Sequence, residues 1–338
     1  MNDEVQPKTV VVAAPAKLNL TLLVGPRRPD GFHEIASLMV PVTLADRVEA
    51  TPTPGRGLEV DCPVCPGEAN LAARMVRALE ERLERTFDVR LEIHKRIPAG
   101  AGLGGGSSDA AAVLVALERL YGLELTPRLR HETALAVGSD VPFFLWTGPQ
   151  LAMGRGQVLK PVELPGPLHF VIAVPGLALS TADVYRWRDE DVTVGLHEFA
   201  PRARLLSAGI AGAAKVGDVA GLVSNDLEIS VVERQPEVGR VIERLKTAGA
   251  LAAGMTGSGA AVFGLFDTVE AAERVKAAVG TPLAWSVTEL QEEPVRRRPE
   301  TGARRRGEGR RAPSGAPRRR APAEPRRPQR RRPPAGGG

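Results

Sequence analysis

Between Pro98 and Ala112 the chain reads PAGAGLGGGSSDAAA, with five glycines among the seven residues from Gly100 to Gly106. Glycine reaches backbone conformations that a Cβ forbids, so consecutive glycines let a loop turn its N–H groups inward. LEIH (91–94) before this loop reads as a short strand. After it, Val113, Leu114, Leu117, Leu120 and Tyr121 recur at helical spacing and Gly122 is a natural stop. Ser107 or Ser108 is expected to cap that helix, with Asp109 in its first turn. A flexible connector fits poorly, because a strong helix starts at once. The segment is therefore a strand-to-helix junction whose amides and helix N-terminus favour an anion, and polyphosphate is the natural guest.

Two familiar phosphate loops can be set aside. Gly100-x-Gly102-x-x-Gly105 fits a dinucleotide fingerprint, but Lys95-Arg96-Ile97-Pro98 separate it from its strand and it lies far from the N-terminus. A Walker A loop requires Gly-Lys-Ser/Thr, whereas Gly106-Ser107-Ser108-Asp109 stands here. With no lysine in the loop, the phosphate charge is left to its backbone N–H groups, the helix N-terminus and cations from outside the loop.

Around this junction, strands and helices alternate at irregular spacing, which indicates an α+β architecture. Thr9–Val24 reads as strand, break, strand, with Pro15, Lys17 and Asn19 interrupting apolar runs. Leu71, Met75, Leu79 and Leu83 mark one face of a helix over Asn70–Arg85. His169–Val174 and residues 260–266 read as strands, Val269–Val279 as a helix, and Asn225–Ala248 as a helical stretch interrupted near Pro236. With 338 residues, 43% of them hydrophobic, the chain can bury a large core and form two domains.

The net charge of +5 is unevenly spread. Val295–Gly338 holds 16 arginines against 3 glutamates, leaving 29 basic and 37 acidic side chains in the remainder. This tail of Arg, Pro, Gly and Ala has almost no large apolar residue, and disorder is expected. Its arginine blocks suit non-specific binding of nucleic acid or other polyanions, or they are a composition-biased extension without a role. No apolar run approaches the roughly 20 residues that span a bilayer, and the N-terminus lacks the layout of a secretory signal, so a cytoplasmic protein is expected with no membrane contact. The two cysteines, Cys62 and Cys65, lie in CPVC between prolines; four zinc ligands are not available nearby, and an incidental pair is the expectation over a redox or metal role.

The glycine loop resembles the second motif of the GHMP kinases. PAKLNLTLLV (15–24) is similar to that family's first motif and AGMTGSGAAVFGLF (253–266) to its third, in the right order over roughly residues 9–285. The segments RPDGFHEI, GSDVPFFL, MGRGQVL, PGLALSTADVY and SNDLE narrow the likeness to a branch whose acceptor is a cytidyl diphosphate sugar alcohol. Homoserine kinase is the runner-up, and a nucleic-acid-associated protein with a degenerate kinase body is the alternative of another class.

The resemblance implies a two-domain fold. A ribosomal protein S5 domain 2-like half (residues 1–160) would precede a ferredoxin-like half (161–290) and the tail (291–338). It implies ATP and Mg²⁺ as cofactors, and a monomer or homodimer. It makes Asp140 the catalytic base and Lys17 its partner. The loop Pro98, Ala99, Gly100, Ala101, Gly102, Leu103, Gly104, Gly105, Gly106, Ser107 and Ser108 would wrap ATP, with Asn70 and Lys95 near the adenine. Asn19, Phe32, His33, Tyr185, Thr256, Gly257, Ser258 and Gly259 would meet the acceptor. Phe32 and Tyr185 would stack on the base, His33 would read its polar edge, and Ser108 would offer its hydroxyl to Mg²⁺.

Overall fold

The computed structural model of the protein describes residues 8–278 and 284–289; the expected tail at 291–338 lies outside the described residues. Strand β1 (Val10–Arg27) turns through RPDGF into β2 (His33–Pro52), and the two pair antiparallel along most of their length. The break expected within 9–24 is instead a bulge. Pairing slips between Pro15 and Ala16, and again between Asn19 and Thr21, while the strand continues. A proline cannot donate to the ladder, and a bulge accommodates that loss without ending the strand.

The first sheet is completed by β3 (Leu58–Asp61), β4 (Val89–His94), β5 (Gln150–Gly154) and β6 (Val158–Pro161). The length of β2 lets Arg47–Pro52 pair with β4 while Ile35–Met39 pair with β5. Helices α1 (Leu71–Leu83), α2 (Gly105–Tyr121) and α3 (Pro127–Val137) contribute to one buried apolar cluster with this sheet. Met75 and Leu79 of α1 meet Leu114 and Leu117 of α2 within that cluster, as their spacing predicts.

The second sheet has the order β11-β7-β10-β9 and is antiparallel throughout: β7 is His169–Val174, β9 Ala252–Met255, β10 Val262–Phe266 and β11 Ala284–Glu289. Between β7 and β9 run α4 (Thr181–Asp191), α5 (Leu196–Gly212), α6 (Val216–Ala220), β8 (Ser224–Asn225), α7 (Glu228–Arg234) and α8 (Pro236–Thr247). Pro236 is the first residue of α8, where its missing N–H costs nothing, so the expected interruption is a boundary between two helices. Helix α9 (Val269–Ala278) packs against the second sheet. The short β8 returns to the first sheet and pairs parallel with β1 at Thr21 and Leu22. Leu18 and Leu20 of β1 share a buried cluster with Phe170 and Phe263 of the second sheet, so one face of β1 is fastened from both sides. Among the described residues no helix is long and apolar enough to cross a membrane.

Candidate active site

A cleft of about 830 Å³ opens where β1, the start of β2, the glycine loop, α4 and the 256–259 loop converge. Its inner wall is β1. Lys17 and Asn19 lie two residues apart on one strand face, both buried. The Lys17 backbone N–H donates to Leu103 O at 3.0 Å, which ties the strand to the glycine loop. Its ammonium donates to Asn19 Oδ1. The Asn19 amide in turn donates to Ser37 Oγ at 2.7 Å, and its backbone N–H donates to Thr256 Oγ1 at 2.8 Å. Every polar atom of Asn19's side chain thus has a partner, so Lys17 is held by a rigid acceptor. Burial lowers the Lys17 pKa, and the charge of Asp140 opposes that shift.

Asp140 precedes a short 3₁₀ helix at Val141–Leu145 and also lines the cleft. An aspartate at the head of such a turn can act as its cap. No backbone N–H of the turn donates to the Asp140 side chain, so capping does not occupy that carboxylate.

The glycine loop departs from expectation at its end. Helix α2 begins at Gly105, and its N-cap is Gly104 with φ 72° and no side-chain cap. Ser107 and Ser108 are therefore inside the first turns and cap nothing. With no side chain serving the helix entrance, its leading N–H groups remain available to an anion. Ala101 and Leu103 turn their side chains into the core, so these two residues can offer a ligand only backbone. Ser107 lines the cleft; Ser108 is buried, and its Oγ has no partner among the described residues.

The loop lies against the 256–259 segment, with Ala261 N donating to Ala101 O at 3.2 Å. Gly102 has φ 79°, and a Cβ there would lie 2.6 Å from Thr256 O and 3.1 Å from Gly259 O. Gly100 has φ 69° but open space around it. Gly102→Ala is expected to raise the KM for the polyphosphate substrate expected at this loop at least about tenfold by parting the two loops. Gly100→Ala is expected to add only the roughly 1–2 kcal/mol of left-handed backbone strain. Steady-state kinetics of both variants check this; equal effects would mean that the close approach does not matter.

Gly257 and Ser258 reach the cleft, and Ser258 Oγ lies 2.9 Å from Thr181 Oγ1 of α4. Thr256 is fully buried and serves Asn19. At the outer end, Phe32 is 49% exposed and the Arg155 guanidinium stands 4.9 Å from its ring centroid. His33 is buried beside Tyr185, their rings stacked with centroids 5.1 Å apart. Burial, then the charge of Asp140, raises the Tyr185 pKa and keeps its hydroxyl protonated.

Asn70 and Lys95 do not line this cleft. Asn70 is the N-cap of α1, accepting from Ala72 N at 2.9 Å and donating to Cys65 O at 2.7 Å. Lys95 donates to Asp109 at 2.7 Å and also to Asp46, whose other oxygen accepts from the Arg96 and Ile97 backbone N–H groups. This ion triad fastens β2, the approach to the glycine loop and α2 together. Asp46 escaped the sequence reading, although an aspartate within the apolar strand TLADRVEA was its available signal. Burial raises the Asp109 carboxyl to about 6, against the opposing pull of Lys95. Cys62 is buried and Cys65 exposed, both as free thiols.

Known proteins resemble this chain along most of its length. Residues 70–148 match the profile of the GHMP kinases N terminal domain, and residues 210–284 that of GHMP kinases C terminal. The 4-diphosphocytidyl-2-C-methyl-D-erythritol kinase of Anaeromyxobacter dehalogenans (strain 2CP-C) is 45% identical over 270 residues, spanning 76% of this chain and 80% of its own. That of Symbiobacterium thermophilum is 40% identical over 282 residues, spanning 81% of this chain and 98% of its own. A crystal structure of 4-(cytidine 5'-diphospho)-2C-methyl-D-erythritol kinase superposes with a TM-score of 0.70 at 37% identity, covering 83% of this chain and 99% of its own.

Proposed function

The chain belongs to the 4-diphosphocytidyl-2-C-methyl-D-erythritol kinases within the GHMP kinases, and we propose that its cleft performs their reaction through Asp140 and Lys17. The reaction is ATP-dependent phosphorylation of the 2-hydroxyl of 4-diphosphocytidyl-2-C-methyl-D-erythritol, a step toward isoprenoid precursors by the non-mevalonate route. The acceptor oxygen forms a bond to the γ-phosphorus while the bond from that phosphorus to the β–γ bridging oxygen breaks, and ADP departs. The hydroxyl proton passes to Asp140. A free aspartate is a weak base for an alcohol, but a loose transition state lets the proton leave late, and orientation then counts as much as basicity.

The observation that carries this reading is the meeting of Lys17, Asp140 and the glycine loop in one cleft. Lys17 supplies the cation that the glycine loop lacks, and Asn19 limits its freedom. The amides at the start of α2 receive ATP phosphates, and the 256–259 loop closes on the acceptor's end. Among the described residues no group of three or more His, Cys, Asp or Glu could hold a metal. Mg²⁺ would thus take its ligands mostly from phosphates and water, as it does readily, with the Ser107 hydroxyl on the cleft wall and Ser108 buried behind it. When bound, it neutralises charge on the transferring phosphoryl group.

At the outer end, Phe32 offers the face on which cytosine would stack, with Arg155 behind it. Phe32→Ala is expected to weaken acceptor binding by roughly 1–3 kcal/mol, the scale of aromatic–base stacking, with ATP affinity unchanged. Calorimetric titration of the acceptor checks it; equal affinity in the variant would make the ring structural. The reading as a whole is tested by ADP release with Mg-ATP, comparing the cytidyl diphosphate acceptor with homoserine and mevalonate. Turnover confined to homoserine or mevalonate would overturn it.

A further inference from the structure

His33 opens β2 near the chain's start, while Tyr185 and Asp189 stand one turn apart on α4, so both face the same way. The fold brings these distant segments together. His33 Nε2 lies 2.9 Å from Asp189 Oδ1 and 3.0 Å from Oδ2, and the Tyr185 ring covers the imidazole. Asp189 is itself oriented. Buried Arg188 donates to Asp189 Oδ1 at 3.2 Å and, through its other nitrogen, to Val24 O of β1 at 2.7 Å. All three of His33, Tyr185 and Asp189 line the cleft.

A carboxylate accepts hydrogen bonds and cannot donate them, so the proton of this pair belongs on Nε2. In a neutral imidazole the other nitrogen is then an acceptor. Nδ1 has no protein partner among the described residues. We propose that Asp189 is a positioning residue that fixes the His33 tautomer and so selects cytosine over uracil. An Nδ1 acceptor pairs with the exocyclic amine at position 4 of cytosine and meets only an oxygen at that position of uracil. Two facing acceptors leave both unpaired, and such mismatches discriminate strongly. Neighbouring Tyr185 adds to the constraint, since the stacked ring keeps the imidazole from rotating out of the plane that Asp189 sets.

The inference rests on the reading of the cleft as the site of a cytidyl acceptor. Its test is steady-state kinetics with the cytidyl acceptor and its uridyl counterpart, on the full chain and on Asp189→Asn, Asp189→Glu and His33→Ala. Asn can present either an oxygen or an NH₂ to His33 and so no longer dictates the tautomer. We expect Asp189→Asn to raise the KM for the cytidyl acceptor about tenfold, to reduce the cytidyl-over-uridyl preference by a similar factor, and to leave kcat within about twofold. Asp189→Glu should restore most of the preference. Nitrogen-15 NMR of histidine-labelled protein should find the Nε2–H form of His33 dominant in the wild type and a tautomer mixture in Asp189→Asn. An unchanged preference in Asp189→Asn, with His33→Ala having lost it, would overturn the role of Asp189 alone. A preference that survives His33→Ala would overturn base reading by His33 and this inference with it. Absence of turnover with the cytidyl acceptor in the wild type would instead overturn the kinase reading itself.

Discussion

Replacing Asp140 by alanine is expected to lower turnover by on the order of 100-fold or more while the affinity for ATP stays within about twofold. The expectation follows from where the two groups stand. Asp140 lines the cleft with its side chain uninvolved in capping, whereas the phosphates are assigned to the glycine loop and the α2 entrance. The variant also removes the Asp140 charge, which opposes the effect of burial at Lys17, so the Lys17 pKa falls further. Its residual activity should therefore decline at lower pH than the wild-type ammonium would require, as a neutral Lys17 becomes accessible below the usual lysine range. Single-turnover kinetics separate chemistry from binding here. Near-normal turnover would remove Asp140 as the base, and a large loss of ATP affinity would mean that the carboxylate serves the nucleotide instead.

The largest effect on stability is expected from Lys95→Met. Asp46 and Asp109 are both buried, and Lys95 is the cation between them. Removing one partner of a buried ion cluster typically costs about 3–5 kcal/mol, because the remaining charges lose their compensation. The pH dependence distinguishes this from lost packing. Asp109 has its carboxyl raised to about 6 from 3.8, so the folded state holds its proton more tightly than the unfolded state does. Its contribution favours folding fully below the unfolded value and is lost as pH rises through about 6. Without Lys95 that carboxyl moves higher still, and the variant's deficit should shrink between pH 7 and pH 5. Urea unfolding of both proteins at the two pH values is the measurement. A deficit equal at both would assign the loss to packing.

The triad also gives Lys95 a structural role beside the ligand role that its place in the sequence suggests. A lysine just before a phosphate-binding loop invites a ligand role, and its spacing is compatible with one. The fold brings Asp46 beside it from 49 residues away and Asp109 from 14 residues ahead, and neither contact has a local signature. Asn70 is a similar case, since a polar residue ahead of a helix can serve a ligand or the helix, and its Oδ1 accepts from Ala72 N as the N-cap of α1.

What local pattern carried was considerable. The glycine loop, the helices around Met75 and Leu114, the strand His169–Val174 and the division at Pro236 all depend on neighbours within a few residues, where periodicity and glycine or proline chemistry speak directly. The polyphosphate reading of the loop needed nothing more. The cation proposed to serve that loop lay beyond local pattern. Lys17 stands beside Gly104 because β1 runs past the loop, with its backbone N–H bonded to Leu103 O. The bulge at Pro15, the glycine N-cap of α2 and the meeting of α4 with His33 likewise arise from pairings between segments far apart in the chain. Such contacts leave no period in the sequence, because each is a single complementarity of shape and charge that exists only once the two sheets have closed on β1.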